Sequence, residues 1–479
     1  PKIKKSPASS LDGGGGAVSF RPPPCPSWRT ALARGRKSAR RLAPGTQSSN
    51  HHQPPPPSML PDLSSVCVSF RRSCSDFPSR TPAERLTDDI LVEILSRVPA
   101  KELCRCKCVS KHWLGLIHHP DHRKRLPQTL AGFFYGRITS TTGQRVLELP
   151  FRFTSISGDG RSPVGTSFTF LPNHHLPVDL LDSCNGLLLC RCYHVSDGVG
   201  AFHYVVCNPA TEKWIVLPNS GKDSSQVATT SLGFDPALSP HFHVFELVQQ
   251  HKYGENKNTD ISGVTVYSSE TGEWIYKEKR WSRATWFASW HSSATVFLNG
   301  LLFFRALDLK LHDCVAAVDT KGEIWMKFRV PGGQVDGFVQ RSIFRAPADQ
   351  FDDLDLAHGF IQRSQGRLHF ANFQRDKYGV AIRLVVHVLE NYQDKQWILK
   401  HSIETSNIFG WTDLWLDADF DFIAIHPECN LLFFAVGGIT FMCYNMDNRQ
   451  VKVISHLADV KPLFLPYAPL YTESQSLHI

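Results

Sequence analysis

The sequence lacks several features, and each absence narrows what the chain can be. Its thirteen cysteines, running from Cys25 to Cys443, include no Cys-x-x-Cys pair, so neither a zinc ribbon nor the disulfide framework of a small secreted domain fits. Reduced thiols and a cytoplasmic or nuclear home are expected. No run of eighteen or more apolar residues occurs, and the nearest stretch, Leu431 to Tyr444, is broken by Gly437 and Gly438. No membrane-spanning helix is available, and a soluble protein without a membrane partner is expected. There is no His-Glu-x-x-His, no Gly-x-Ser-x-Gly elbow and no phosphate loop, and the Gly13 to Gly16 run lies in a tail rather than between strand and helix. No catalytic residue and no cofactor is nominated. Cys104, Cys106 and Cys108 with His112, His118 and His119 do not match zinc spacing, and alternate cysteines leave a helix on different faces, so no metal is expected either.

What is present points to a folded chain of several domains. At 479 residues, with 42% hydrophobic and 20% charged residues, it can bury a sizeable core, and a prior of about 150 residues per domain suggests roughly three units. The net charge of +8 is unevenly placed: residues 1–80 hold thirteen Lys or Arg against Asp12, Asp62 and Asp76, which leaves −2 for the rest. The body therefore offers no phosphate-hugging face, and nucleic acid is not an expected partner. Residues 1–80 are rich in Pro, Ser and Gly, a composition that cannot offset its ordering entropy by burial, and read as a disordered basic tail. Their Arg and Ser content also resembles an organelle transit peptide, though turn residues interrupt any amphipathic period.

From Leu86 the texture changes. Thr87 can cap a helix whose first turn carries Asp88 and Asp89, whose interior spaces Ile90, Leu91, Ile94, Leu95 and Val98 helically, and which ends at Arg97 before Pro99. A second short helix from about Lys101 has Leu103, Cys104, Cys106 and Val109 as its less polar positions. A third from about Ser110 turns Trp113, Leu116 and Ile117 inward, and Pro120 closes the unit. Three helices in under about 40 residues cannot enclose a self-sufficient core, so the following domain or another protein must cover the apolar stripe.

The stretch Leu86-Thr87-Asp88-Asp89-Ile90-Leu91-Val92-Glu93-Ile94-Leu95-Ser96-Arg97-Val98-Pro99, with Leu103, Cys106, Cys108-Val109-Ser110-Lys111-His112-Trp113 and Leu116-Ile117, resembles an F-box over residues 84–122. The resemblance implies a three-helix module that docks on the small adaptor subunit of an SCF-type, cullin-based ubiquitin ligase, while the rest of the chain binds a protein substrate. It implies that Leu86, Thr87, Ile90, Leu91, Ile94, Leu95, Val98, Pro99, Leu103 and Trp113 include the adaptor-binding and motif-core residues. Thr87 stands where the family usually has Pro, and Cys106 where a larger apolar residue is commoner. Both bear on adaptor affinity.

After Phe133 short apolar runs alternate with turn residues, the pattern of an all-β sandwich, barrel or propeller. The fold class expected is α+β multidomain, with a three-helix module followed by a β-propeller-like domain over 130–479. Val206 to Trp214 and Val266 to Trp274 share a strand, turn and strand spacing, echoed at Ala317 to Trp325 and Val388 to Trp397. A second recurring element is a turn before an apolar run, at Asn185-Gly186, Asn299-Gly300, Gln365-Gly366 and Asn430-Leu431. At about 45–50 residues per blade, 130–479 accommodates six to eight blades. Residues 183–218 and Gly233-Phe234-Asp235-Pro236 resemble the F-box-associated domain of plant F-box proteins. The tryptophans read as packing between sheets, and His174-His175, Asp352-Asp353 and the Asp417 to Asp421 cluster as solvated loops.

Two functions of different class follow. One is a non-catalytic specificity subunit that brings a substrate to a ubiquitin-transferring enzyme, its substrate contacts on rim loops such as 251–260 and 331–350. The other is an all-β propeller enzyme or sugar binder with helices merely packed on it. An apolar stripe left exposed on the first helix separates them.

Overall fold

The computed structural model describes residues 86–477, except 99, 120–121, 123–129, 137, 142–143, 159–161, 173, 195–201, 251–259, 280–285, 288–294, 308–311, 335–358, 377, 379, 393, 411–419, 458–462 and 472–475. The basic tail, Pro99, Pro120, Asp352-Asp353 and nearly all of the two rim loops lie outside the described residues.

Three short helices come first: α1 (Asp88–Ser96), α2 (Ala100–Cys106) and α3 (Lys111–His118). Capping chemistry differs between them. Ser110 caps α3, its hydroxyl accepting from the Trp113 N–H at 3.1 Å. Thr87 holds the extended N-cap backbone of α1 but its side chain makes no capping bond, so the capping expected of it is carried by backbone alone. Of the less polar positions expected on the second helix, Leu103 is buried whereas Val109 is 61% exposed.

The remainder is a six-bladed propeller. Strands β1 (Gly132–Gly136), β2 (Ile138–Thr141), β3 (Gln144–Glu148) and β4 (Arg152–Ser155) open it. Blade two is β5–β8 (Val178–Cys184, Leu187–Tyr193, Phe202–Asn208, Lys213–Val216). Blade three is β9–β12 (Val227–Gly233, His243–Gln250, Asp260–Ser268, Glu273–Glu278). A two-residue strand β13 (Trp286–Phe287) ties it to blade four, β14–β17 (Thr295–Leu298, Leu301–Leu307, His312–Asp319, Trp325–Gln334). Blade five is β18–β21 (Gly359–Ser364, Arg367–Arg375, Ala381–Asn391, Gln396–Glu404), and blade six is β22–β25 (Phe420–Ile425, Leu431–Val436, Thr440–Asn445, Gln450–His456). The last strand, β26 (Leu463–Tyr467), returns to pair antiparallel with β1, which pairs in turn with β4. Blade one is thus built from both ends of the domain, and this closes the ring.

The core follows from strand periodicity. Successive side chains leave a strand on opposite faces, so a strand between two neighbouring blades must be apolar on both. In β15, Leu302, Phe304 and Ala306 pack toward blade three, whereas Leu301 and Phe303 pack toward blade five. The main clusters of the β domain each join two adjacent blades, closing with Phe133, Phe433, Phe441 and Phe464 between blades six and one. Each fully buried Leu or Phe contributes roughly 1.5–3 kcal/mol. The recurring Trp-bearing segments are the outer hairpins: Trp214 faces Cys207, Trp274 faces Tyr267, Trp325 faces Val318 and Trp397 faces Leu389 across the strand pair. All four rings pack, partly buried, against inter-blade clusters. The Asn-Gly and Gln-Gly turns are the inner hairpins, with positive φ at Asn185, Asn299 and Gln365 and at the glycines that follow, the backbone of a type I′ turn.

Candidate functional site

Two regions could engage other molecules. The first is the helical module. Leu91, Val92 and Leu95 turn inward from α1 and meet Leu103 of α2 and Leu116 and Ile117 of α3, with Trp113 half-buried against both groups and Val98 partly covered. The opposite edge of α1 carries Ile90 and Ile94, 48% and 45% exposed, at the four-residue spacing that aligns side chains on one face, and Leu86, 37% exposed, precedes the helix just before its N-cap. Thr87 is exposed beside them.

The expected site residues therefore separate by place. Leu86, Thr87, Ile90 and Ile94 form an outward ridge, Leu91, Leu95 and Leu103 are the module's core, and Pro99 lies outside the described residues. Sequence reading passed over Leu114, 39% exposed on α3, because helical periodicity alone does not say which face a short helix turns inward. Arg97 pairs with Glu93 at 2.7 Å and Arg105 with Glu102 at 2.9 Å, and the His112 ring meets Asp88 at 3.0 Å between α3 and α1.

The second region is the propeller's central channel, a cavity of about 680 Å³ whose wall draws on the inner strand of every blade and which reaches Leu103, Lys107 and Ile117 of the helices. Polar side chains strap the inner strands together around it. Ser183 donates to the Pro466 carbonyl at 2.6 Å, Asn185 to the Phe234 carbonyl at 2.6 Å, and Ser364 to the His426 carbonyl at 2.7 Å. Gln362 of blade five accepts from the Ile425 N–H of blade six.

Asp182 lies deepest in chemical terms. One carboxylate oxygen accepts from the Ser183 N–H at 2.7 Å and the other from the Leu232 N–H of blade three at 2.8 Å, while burial pushes its carboxyl up to about 7. Arg363 of blade five reaches Asp235 of blade three at 3.9 Å, joining two blades that are not neighbours. Cys184, pushed up to about 12 mainly by burial, stays a thiol and donates to the Phe234 carbonyl. Among the described residues no group of three His, Cys, Asp or Glu converges as a metal site would need, and no helix is long and apolar enough to cross a membrane.

Comparison with known proteins bears on both regions. Residues 84–125 match the F-box domain, and residues 161–409, more than half of the chain, match the β-propeller of F-box protein At3g26010-like proteins. The chain belongs to this F-box propeller family. F-box protein At5g07610 of Arabidopsis thaliana is 26% identical over 66% of this chain and 70% of its own length. F-box protein At1g30790 of the same plant is 31% identical over 33% of this chain and 40% of its own. F-box protein DOR, also from Arabidopsis thaliana, is 25% identical over 47% and 55% respectively. The match thus spans less than two thirds of these last two relatives. The chain thus carries an F-box followed by a β-propeller.

Proposed function

We propose that this F-box protein is the specificity subunit of an SCF-type, cullin-based ubiquitin ligase, holding the small adaptor through its helices and a protein substrate through its propeller. The observation that carries the reading is the ridge of Ile90 and Ile94, with Leu86 just before the N-cap. These aliphatic side chains stay in solvent while the rest of α1's apolar surface is spent inside the module, and an exposed row at helical spacing is what a helix-in-groove partner covers. Leu91, Leu95, Leu103 and Trp113 support that surface from within, and Thr87 and Val98 border it. The subunit itself needs no catalytic group. Tethering a substrate beside the ubiquitin donor raises its local concentration to the millimolar range typical of short linkers. It would act in the cytoplasm or nucleus, on a substrate bound at the propeller rim.

The test follows from the division of α1. Ile90→Asp with Ile94→Asp charges only the exposed ridge, so adaptor co-purification should be lost while the thermal unfolding of the propeller is unchanged. Retention of the adaptor by this double variant would refute the reading.

A further inference from the structure

The channel offers chemistry that adaptor docking does not use. Its volume of about 680 Å³ falls within the roughly 300–1,000 Å³ of small-molecule sites, and most of its wall is apolar, with Leu232, Phe297, Ile361, Ile425 and Leu465 each from a different blade. Among the described residues five charged ones line it: Lys107, Asp182, Asp235, Arg363 and Glu428. Two are positive and three negative when ionised, an excess of one negative charge.

That excess can be located. Arg363 is engaged across the channel with Asp235. Asp182 has no ion pair among the described residues; it accepts from the two backbone N–H groups of Ser183 and Leu232, which fill two of the about four acceptor positions a carboxylate carries. It is deeply set, yet it keeps accessible surface on the cavity side. A carboxylate in a low-dielectric setting without a counter-ion is costly, and a cation delivered into the cavity would relieve that cost. A divalent metal fits poorly, since its usual cage of several carboxylate oxygens is not assembled among the described residues.

We propose that the channel binds one primary ammonium group carried on an apolar body, with Asp182 as its counter-ion and the aliphatic and phenyl wall as its socket. The same chemistry has two sources, a free small amine or a lysine side chain presented by a protein. The site stands apart from adaptor docking, which rests on the exposed ridge beside α1, because Asp182, Asp235 and Arg363 all belong to the propeller.

Protonation gives the proposal a signature. The ammonium stays charged across neutral pH, whereas Asp182 must give up its proton to receive it, and burial holds that carboxyl at about 7. The other titratable groups facing it are Cys184 on its own strand, Asp235 after β9 and Arg363 on β18, with Lys107, Glu428 and Tyr471 farther along the wall. Cys184 remains protonated throughout this range. Binding should therefore weaken about tenfold between pH 8 and pH 6.

The experiment is calorimetric titration of the full chain with 2-phenylethylamine, 3-phenylpropanoate and Nα-acetyl-lysine methylamide at pH 8 and pH 6. Saturable binding of an amine at pH 8, about tenfold weaker at pH 6, with the carboxylate inert, is the expected result. Tighter binding of phenylethylamine would assign the site to a free amine, and tighter binding of the lysine analogue to a protein side chain. Asp182→Asn keeps an oxygen for the Leu232 N–H and removes the charge, so it should abolish the amine signal while retaining the unfolding transition. Absence of amine binding at pH 8, indifference to pH, preference for phenylpropanoate, or full binding by a folded Asp182→Asn variant would each overturn the proposal. The wild-type pH and carboxylate comparisons decide it even if that variant does not fold.

Discussion

A single buried carboxyl between blades two and three ties stability to pH. Glu246 on β10 is 1% exposed; its Oε1 accepts from Ser220 Oγ at 3.1 Å, and its Oε2 accepts no hydrogen bond among the described residues. Burial pushes this carboxyl up to about 7, opposed by the Ser220 bond, by the nearby Tyr204 hydroxyl and by the positive charges of Lys222 and Arg191. The folded pKa lies above the unfolded value of 4.5, so the folded state holds the proton longer. Its stabilising effect is complete below the unfolded pKa and is lost as pH rises through about 7, a change on the order of 3 kcal/mol at most. Glu246→Gln should flatten this decline, unfolding in urea later than wild type at pH 8 and close to it at pH 5. Asp182 contributes a slope of the same sign, so the decline should shrink rather than vanish. Parallel pH profiles for the two proteins would mean that another group is responsible. At this same scale Gly186 is fixed by geometry: its φ is +89° and an added Cβ would meet Leu470 Cβ at 2.4 Å.

Within one helix, two residues of equal hydrophobicity have opposite jobs. Leu95 is 1% exposed in contact with Leu103 and Ile117, so Leu95→Ala should cost about 2–5 kcal/mol within the helical module. Ile94, one position earlier, should tolerate Ala within about 0.5 kcal/mol while adaptor capture weakens. Urea unfolding followed by tryptophan emission from variants keeping only Trp113 in the helices separates the two outcomes. Sequence periodicity marked both as apolar helix positions but could not assign sides, because a three-helix unit is wrapped from several directions. The blades were legible in a similar, partial way. Four outer hairpins announce themselves by Trp214, Trp274, Trp325 and Trp397, but in blade six the equivalent position opposite Tyr444 holds Val451, and blade one is divided between the two ends of the domain. A periodic search therefore finds four blades and leaves the total open between six and eight. Thr87 holds the N-cap position that the sequence offers it, but the cap is made by extended backbone and its carbonyl rather than by its hydroxyl, a distinction that residue type alone does not reveal.

Closure of the ring rests on β26, and so does the channel. Asp182, Asp235 and Arg363 are separated by 53 and 128 positions in the chain, a distance at which no local pattern links them, and only the circular order of blades brings them to one cavity. That order holds because β26 fills the gap between blades six and two. Leu463, Leu465 and Tyr467 pack toward blade two, and Phe464 packs with Phe433 and Phe441 of blade six or its neighbours. The following residues continue the bridge: Leu470 joins the cluster between blades two and three, and its carbonyl accepts from Asn208 at 2.8 Å. Ending the chain after Leu457 would strip partners from three inter-blade clusters at once and leave β1 as an unpaired edge, which invites aggregation. Such a protein should lose its cooperative unfolding transition. Because β26 contributes as a strand donated from the far end of the sequence, a separate fragment of residues 458–479 supplied during refolding should pair with β1 and restore the transition. Cooperative unfolding of the shortened chain without that fragment would show that five blades and a partial sixth suffice, and the channel's shape would then owe nothing to the meeting of the two ends.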